Sequence, residues 1–287
     1  MRGIILAGGA GTRLYPVTAQ INKHFAVVYD KPMIYYSFST LLLAGVDEFL
    51  IITRPQDAAP FQGLLGDGSR FGVSISYAIQ DRPGGIAEAF IVGKDFVRDE
   101  PVVLILGDNL FYGPDFGHTL AQYASPSGAH IFGSQVDNPR EYGVLEFDKD
   151  GKVLSIEEKP EKPKSHFAVP GLYFYSGDVT EQVKRIKPSA RGELEISDLN
   201  QLYLNEGRLT ATMLSRGNAW LDTGSVGSLH DAATFVRAVE LRQGLKIGCP
   251  EEIAWRMGRL TTEQLLAQTE LMPMGDYREY LIRMVQQ

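Results

Sequence analysis

The residues Gly8-Gly9-Ala10-Gly11-Thr12-Arg13-Leu14, with Lys23 downstream, have the types and spacing of a phosphate cradle. Glycines carry no Cβ, so a backbone built of them can turn sharply and bring several N–H groups against an anion. Arg13 adds a planar fork of donors suited to phosphate oxygens, and Lys23 adds a compact charge. The loop is neither the Gly-x-x-x-x-Gly-Lys-Ser/Thr pattern nor the full Gly-x-Gly-x-x-Gly of dinucleotide folds. Two aspartates are candidates to hold a hard cation such as Mg²⁺: Asp108, in Gly107-Asp108-Asn109, and Asp222, between Trp220-Leu221 and Thr223-Gly224. An aspartate in such a place also serves as a turn former or helix N-cap. In Glu157-Glu158-Lys159-Pro160, Glu158 can accept from sugar hydroxyls and Lys159 can bind a phosphate, or the run is a solvated strand end. Arg191, before Gly192-Glu193-Leu194-Glu195, offers a further cation or simply precedes a helix with an acidic first turn.

These groups need a scaffold that brings them to one edge. Ile4 to Ala7 reads as a buried strand emptying into the glycine loop. Proline near its start and glycine past its end frame a helix over 33–44. Residues 49–53 read as a strand, 57–65 as a short helix, and 73–80 as a strand delivering Gln80. Gly84-Gly85 are expected to open a helix through Val97, and the apolar strand 102–106 ends at Asp108. Strands alternating with helices predict an α/β, doubly wound, mostly parallel sheet of Rossmann-like form, whose ligands sit beyond the carboxyl ends of the strands. The glycine loop, Gln80 and Asp108 all fall there.

The second half is mixed. Strands are expected at 129–136, 143–147 (joined by a turn to Val153), 171–175 and 210–214, and a helix at 194–205. Residues 217–224 read as a loop, and the chain is helical from Ser228 onward. The expected organisation is a catalytic domain over 1–245, with a nucleotide half to about residue 125 and a sugar-phosphate half after it. A helical portion over 246–287 would serve packing or an oligomer interface.

Composition narrows the function. The chain has 287 residues, 44% of them hydrophobic, enough for a substantial core. A formal net charge of −7 disfavours a general nucleic-acid partner. The single cysteine, Cys249, excludes an intrachain disulfide and a cysteine-rich metal site. No apolar run approaches membrane-spanning length and the first is too short for a signal-peptide core, so no membrane partner and a cytoplasmic location are expected.

The glycine-loop string with Lys23 resembles the signature of the sugar-1-phosphate nucleotidyltransferases. So do Tyr29-Asp30-Lys31-Pro32-Met33-Ile34-Tyr35-Tyr36, Leu106-Gly107-Asp108-Asn109, Pro170-Gly171-Leu172-Tyr173-Phe174-Tyr175 and Ala219-Trp220-Leu221-Asp222-Thr223-Gly224. The similarity runs essentially end to end and is greatest to the bacterial branch that joins dTTP to glucose 1-phosphate. It implies that Leu6, Gly8, Gly9, Gly11, Thr12, Arg13, Gln80, Gly85 and Asp108 bind the nucleotide. It implies that Tyr142, Gly143, Glu158, Lys159, Val169 and Arg191 line the sugar-phosphate pocket. Asp108 and Asp222 would hold Mg²⁺, and Arg13, Lys23 and Lys159 with the two aspartates would carry catalysis. A homotetramer and feedback inhibition at an interface are also implied.

The implied reaction is attack of a sugar-phosphate oxygen on the α-phosphorus of a nucleoside triphosphate, with pyrophosphate leaving. Both reactants are anionic, so the site must supply positive field rather than a strong base. Gln80 can pair with thymine or uracil alike, and its amide can flip to suit cytosine. The chain departs from the family pattern at Asn22 and His24 flanking Lys23, at Ser37, at Gly84 and Glu88, and at His166-Phe167. The changes at 84 and 88 bear on the base, those at 166–167 on the sugar. Two other readings of the same residues are a glycosyltransferase that consumes nucleotide sugars, and a non-catalytic nucleotide-sugar sensor. A cradle suited to triphosphate and pyrophosphate argues against the first, and the retained Asp108, Lys159 and Asp222 against the second.

Overall fold

The computed structural model describes residues 1–286. The strand Arg2–Leu6 sits mid-sheet, pairing in parallel with Glu48–Thr53 on one side and Val102–Leu106 on the other. Ser74–Ile79 extends the parallel set beyond Glu48–Thr53. Ile4, Ile5, Ile51, Leu104 and Ile105 are fully buried, as expected of strands covered on both faces. Their run of β-branched and aliphatic residues suits that double burial.

On the far side of Val102–Leu106 the sheet turns antiparallel. Leu172–Tyr175 pairs antiparallel with Val102–Leu106 and with Ala129–Gln135. Phe167–Ala168, Gly143–Phe147 and Val153–Glu158 continue outward, and Leu209–Met213 pairs in parallel with Ala129–Gln135. Ten strands form this one sheet. The α/β reading holds, with the parallel strands gathered under the glycine loop and the added antiparallel strands under the second half.

Two local expectations are corrected. Residues 84–97 do not form one helix opened by Gly84-Gly85: two short helices, Ala89–Val92 and Lys94–Val97, are divided at Gly93. A Cβ at Gly93 would lie 2.9 Å from the Ala89 carbonyl oxygen and 3.0 Å from Leu50 Cδ2, so glycine is what lets this segment press onto the sheet. Residues 217–224 are not all loop: Ala219–Asp222 is a strand, antiparallel to Asn109–Tyr112. The helix expected over 33–44 is present as Ile34–Leu43, and ahead of it Lys31–Pro32 forms a two-stranded ribbon with Val27–Val28.

After the long helix Val226–Gln243 come three shorter helices, Pro250–Arg256, Thr262–Glu270 and Asp276–Val285. They return to the N-terminal half. Ala254 and Leu260 join the core of Phe38, Phe49 and Phe71, and Arg259 bonds Asp47 at 2.7 Å. No helix among the described residues is long and apolar enough to cross a membrane.

Candidate active site

The central parallel strands fix three of the site's parts. Arg2–Leu6 ends where the Ala7 N–H bonds the Ile52 carbonyl, and Gly8 to Gly11 leave the sheet from there. Gly11 has φ +65, the left-handed region, and starts the short turn Thr12–Leu14. A Cβ at Gly11 would lie 2.9 Å from Thr18 Cγ2, so the loop is closed by contact as well as by conformation. Leu14 is fully buried, which anchors the turn and leaves Arg13 exposed.

Lys23 and Asp108 form an ion pair between the glycine loop and the strand end. The Lys23 ammonium also lies 3.2 Å from where a Cβ on Gly9 would be. Burial pushes the Asp108 carboxyl up, but the Lys23 charge, with His24 and Asn109, outweighs it and holds the group below the usual carboxylate range. The Thr223 hydroxyl donates to the Asp108 carbonyl at 2.7 Å, tying the Asp222 segment to it. Asp222 shifts the opposite way: burial raises it first, and the Asp108 charge raises it further. The Arg13 and Lys23 charges act on Asp222 in the opposite sense, so two carboxylates and two cations share a confined space.

That arrangement fits a hard cation. Mg²⁺ is commonly held by one or two carboxylates and completed by waters and phosphate oxygens. Asp108 and Asp222 supply two oxygen donors on the same cavity wall, and the raised Asp222 marks the repulsion a cation relieves. Among the described residues no cluster of three or more His, Cys, Asp or Glu side chains is placed to hold a metal. A cation held by the two aspartates would complete its shell with waters and phosphate oxygens.

Around this centre the structure gathers Arg13, Asp108, Tyr142, Gly143, Glu158, Lys159, Val169 and Asp222 on one cavity. Gly143 begins the strand Gly143–Phe147, and the Val169 N–H bonds its carbonyl at 2.8 Å. Glu158 accepts from the Ser197 hydroxyl. Lys159, at φ +44, donates its N–H to the Tyr142 carbonyl at 3.0 Å, so the backbone bends and its ammonium sits 3.9 Å from Glu158. An adjoining cavity takes Leu6, Gly8, Gly9, Gln80, Gly85 and Arg191, and shares Glu158 and Lys159 with the first. Gly85 has φ +96 and lies flat on Leu194, where a Cβ would be 2.3 Å from the carbonyl oxygen. Thr12 stands on the exposed first position of its turn and lines neither cavity. Arg191 does line its cavity, but Glu195 already holds its guanidinium with two 2.9 Å bonds.

Several parts were not expected. Asn109 is the keystone of the floor: its Oδ1 accepts from Trp220 Nε1 at 2.6 Å and from the Gly171 N–H at 2.9 Å, while its Nδ2 reaches Asp108 Oδ1 at 3.2 Å. Ser197 and Asn200 line the first cavity from the helix Ile196–Asn205. Glu88 accepts from Gln80 Nε2 at 2.6 Å. Behind Lys23, Asn22 donates to Asp57 at 2.7 Å and accepts from the His24 ring at 2.6 Å. Asn109 stood in the same string as Asp108 and could have been found there. Ser197 and Asp57 lie more than thirty residues from the groups they touch, Glu158 and Asn22.

Comparison with known proteins places this geometry. The nucleotidyl transferase family model matches residues 2–239. Glucose-1-phosphate thymidylyltransferase of Mycolicibacterium smegmatis is 54% identical over 285 residues, covering 99% of each chain. That of Neisseria meningitidis is 54% identical over 286 residues with the same coverage. A Bacillus anthracis crystal structure in complex with sucrose superposes with a TM-score of 0.78 at 40% identity, over 88% of this chain and 99% of that one. A UDP-glucose pyrophosphorylase complexed with UDP-glucose shares the fold at a TM-score of 0.72 and 24% identity, over 83% of this chain and 98% of that one. With the family model matched over most of its length and relatives more than half identical from end to end, the chain belongs to the nucleotidyl transferase family, as an enzyme of sugar-1-phosphate nucleotidyl transfer.

Proposed function

We propose that the enzyme transfers a thymidylyl group from dTTP to glucose 1-phosphate, giving dTDP-glucose and pyrophosphate. The observation that carries this is the convergence of Arg13, Lys159, Asp108 and Asp222 on one cavity that opens beside Gly8, Gly9 and Gln80. Two anions must meet there. The choice of dTTP and glucose 1-phosphate rests on the names of relatives 54% identical over nearly the whole chain.

In this reading the glycine loop receives the triphosphate, with Arg13 and the Lys23 ammonium at its two flanks. Gln80 and Gly85 meet the base. Tyr142, Gly143, Glu158 and Val169 hold the sugar, Glu158 accepting from its hydroxyls, and Lys159 draws its phosphate toward the α-phosphorus. That phosphate oxygen is already an anionic nucleophile at neutral pH, so no protein base is required. Arg13 strengthens its hold as charge builds on the transferring group. Mg²⁺ bound by Asp108 and Asp222 would supply further charge neutralisation on the phosphates. Arg191, clamped by Glu195, lines the wall of the nucleotide cavity. We assign the working assembly as a cytoplasmic homotetramer, with residues 1–245 catalytic and the helices of 246–287 available for contacts between subunits. Leu271 and Met274 there are 88% and 78% exposed.

The test is pyrophosphate release with glucose 1-phosphate and each of dTTP, UTP, CTP, GTP and ATP, with and without Mg²⁺. Sugar-dependent release that is fastest with dTTP and needs Mg²⁺ is expected. Absence of release with every nucleotide and a panel of sugar phosphates would overturn the assignment.

A further inference from the structure

The Gln80 side chain is held by its amide nitrogen. Its Nε2 donates to Glu88 Oε2 at 2.6 Å and faces the Gly85 carbonyl at 3.4 Å, while its Oε1 lies 3.0 Å from where a Cβ on Gly8 would stand. An amide has a donor end and an acceptor end that can exchange places by a half-turn. Here the exchange is blocked. An ionised carboxylate and a carbonyl both accept only, so neither tolerates the amide oxygen in place of its NH₂. Gln80 is 8% exposed, so a wrongly turned amide would leave buried polar groups unpaired.

The seat of Glu88 is built into the loop. A Cβ on Gly84 would fall 2.1 Å from the Glu88 carboxyl carbon, so the carboxylate occupies the space that a side chain at 84 would fill. The loop itself is pinned, because the Leu194 N–H bonds the Gly84 carbonyl at 2.8 Å and the Ala87 N–H bonds the Leu194 carbonyl at 3.2 Å.

We propose that Glu88 is a specificity-determining positioning residue: by fixing the Gln80 amide, it makes the nucleotide cavity present an acceptor to the base, selecting bases with a donor at N3. Thymine and uracil carry N3–H there. Cytosine carries a lone pair at N3, which meets the Gln80 oxygen lone pair with no hydrogen between them. Gly84 is the second part of the device, since it leaves room for the carboxylate. The proposal rests on the reading that Gln80 meets the base.

The experiment compares wild type with Glu88→Gln and Gly84→Ala. It measures kcat/KM for dTTP, UTP and CTP with glucose 1-phosphate, and the shift in melting temperature that each nucleotide causes without sugar phosphate. A glutamine at 88 can donate to the Gln80 oxygen, so the amide is free to turn. Gly84→Ala reaches the same end by displacing the carboxylate, and the group it meets is the tip of a flexible chain. The CTP-to-dTTP ratio of kcat/KM is expected to rise at least tenfold in both variants, the nucleotide-induced melting shifts following, while UTP keeps its rank beside dTTP. Loss of a matched polar contact is what such sites discriminate by. A ratio within threefold of wild type in variants that still use dTTP overturns the role of Glu88 and leaves the proposed reaction standing. A wild type that uses CTP as well as dTTP does the same. No turnover and no melting shift with any nucleotide overturns both.

Discussion

Arg13→Ala separates catalysis from stability more sharply than any other substitution here. The Arg13 side chain is exposed, and the turn that carries it is anchored by the next residue, Leu14, which is fully buried. Truncating the arginine leaves that anchor untouched, so unfolding free energy should change by no more than about 0.5 kcal/mol. Its guanidinium nevertheless faces the reaction cavity: Nη2 lies 2.7 Å from where a Cβ on Gly224 would stand, close beside Asp222. Removing one preorganised donor to a developing anion costs about 10²–10³-fold in kcat, or roughly 2.7–4 kcal/mol. Steady-state pyrophosphate release gives the first quantity and urea unfolding the second. Arg13→Lys should fall between wild type and the alanine variant, because it keeps the charge and loses the fork. A fall in kcat below threefold would remove Arg13 from the reaction, and a stability loss as large as the activity loss would mean that the turn, not the donor, had failed.

Three further outcomes follow from the same geometry. Gly224→Ala places its Cβ 2.7 Å from Arg13 Nη2 and 3.0 Å from Asp222 Oδ1, so it should lower kcat about 10–100-fold through displaced groups while urea unfolding stays near wild type; a wild-type rate would show that Arg13 does not work from where it stands. Lys31 and Glu240, 2% and 7% exposed, are paired at 3.0 Å, and Glu240 also receives the Ile247 N–H at 2.8 Å; Glu240→Ala leaves Lys31 paired with Asp30 alone and the buried Ile247 N–H without its acceptor, and should cost about 1.5–3 kcal/mol in urea unfolding, a loss below about 0.5 kcal/mol telling against the network. Burial, helped by the Lys23 charge, lowers His24 from 6.5 to about 3, and burial alone lowers His130 from 6.5 to about 4. Between pH 4 and 6.5 the unfolded chain then binds more protons than the folded one, so the stability these histidines allow is present above pH 6.5 and lost as pH falls through that window. Each contributes a slope of up to about 1.4 kcal/mol per pH unit. Urea unfolding of His24→Gln across pH 4.5–6.5 should show a shallower slope than wild type, and an unchanged slope would contradict the buried neutral ring.

The sequence revealed what local pattern encodes and missed what only long-range pairing encodes. Val102 to Leu106 was readable because a run of five apolar residues followed by glycine has one good use, a strand buried on both faces. The site residues at strand ends were readable for the same reason. Ala219–Asp222 was not, because its four half-buried residues become a strand only by pairing with Asn109–Tyr112, more than a hundred residues earlier. Glu88 was seen as a departure from the family pattern, but its contact with Gln80 is set by the irregular segment between them, which periodicity does not describe.

Asn22, His24 and Ser37 make the same point with more force. Along the chain they are three separate departures from the family pattern. In the fold they are one place, the wall behind Gly107 and Asp108. Asn22 Oδ1 accepts a hydrogen bond from His24 Nδ1, the His24 ring covers Gly107 so closely that a Cβ there would lie 2.7 Å from Nε2, and the Ser37 hydroxyl reaches the Gly107 carbonyl at 3.4 Å. Burial and the Lys23 ammonium keep the imidazole neutral, and Asn22, accepting from Nδ1, sets the tautomer in which the unpartnered Nε2 carries no proton. The neutral ring leaves the charge balance of the Lys23–Asp108 pair undisturbed. Residues that stand apart in sequence are, in this structure, a single support for one ion pair.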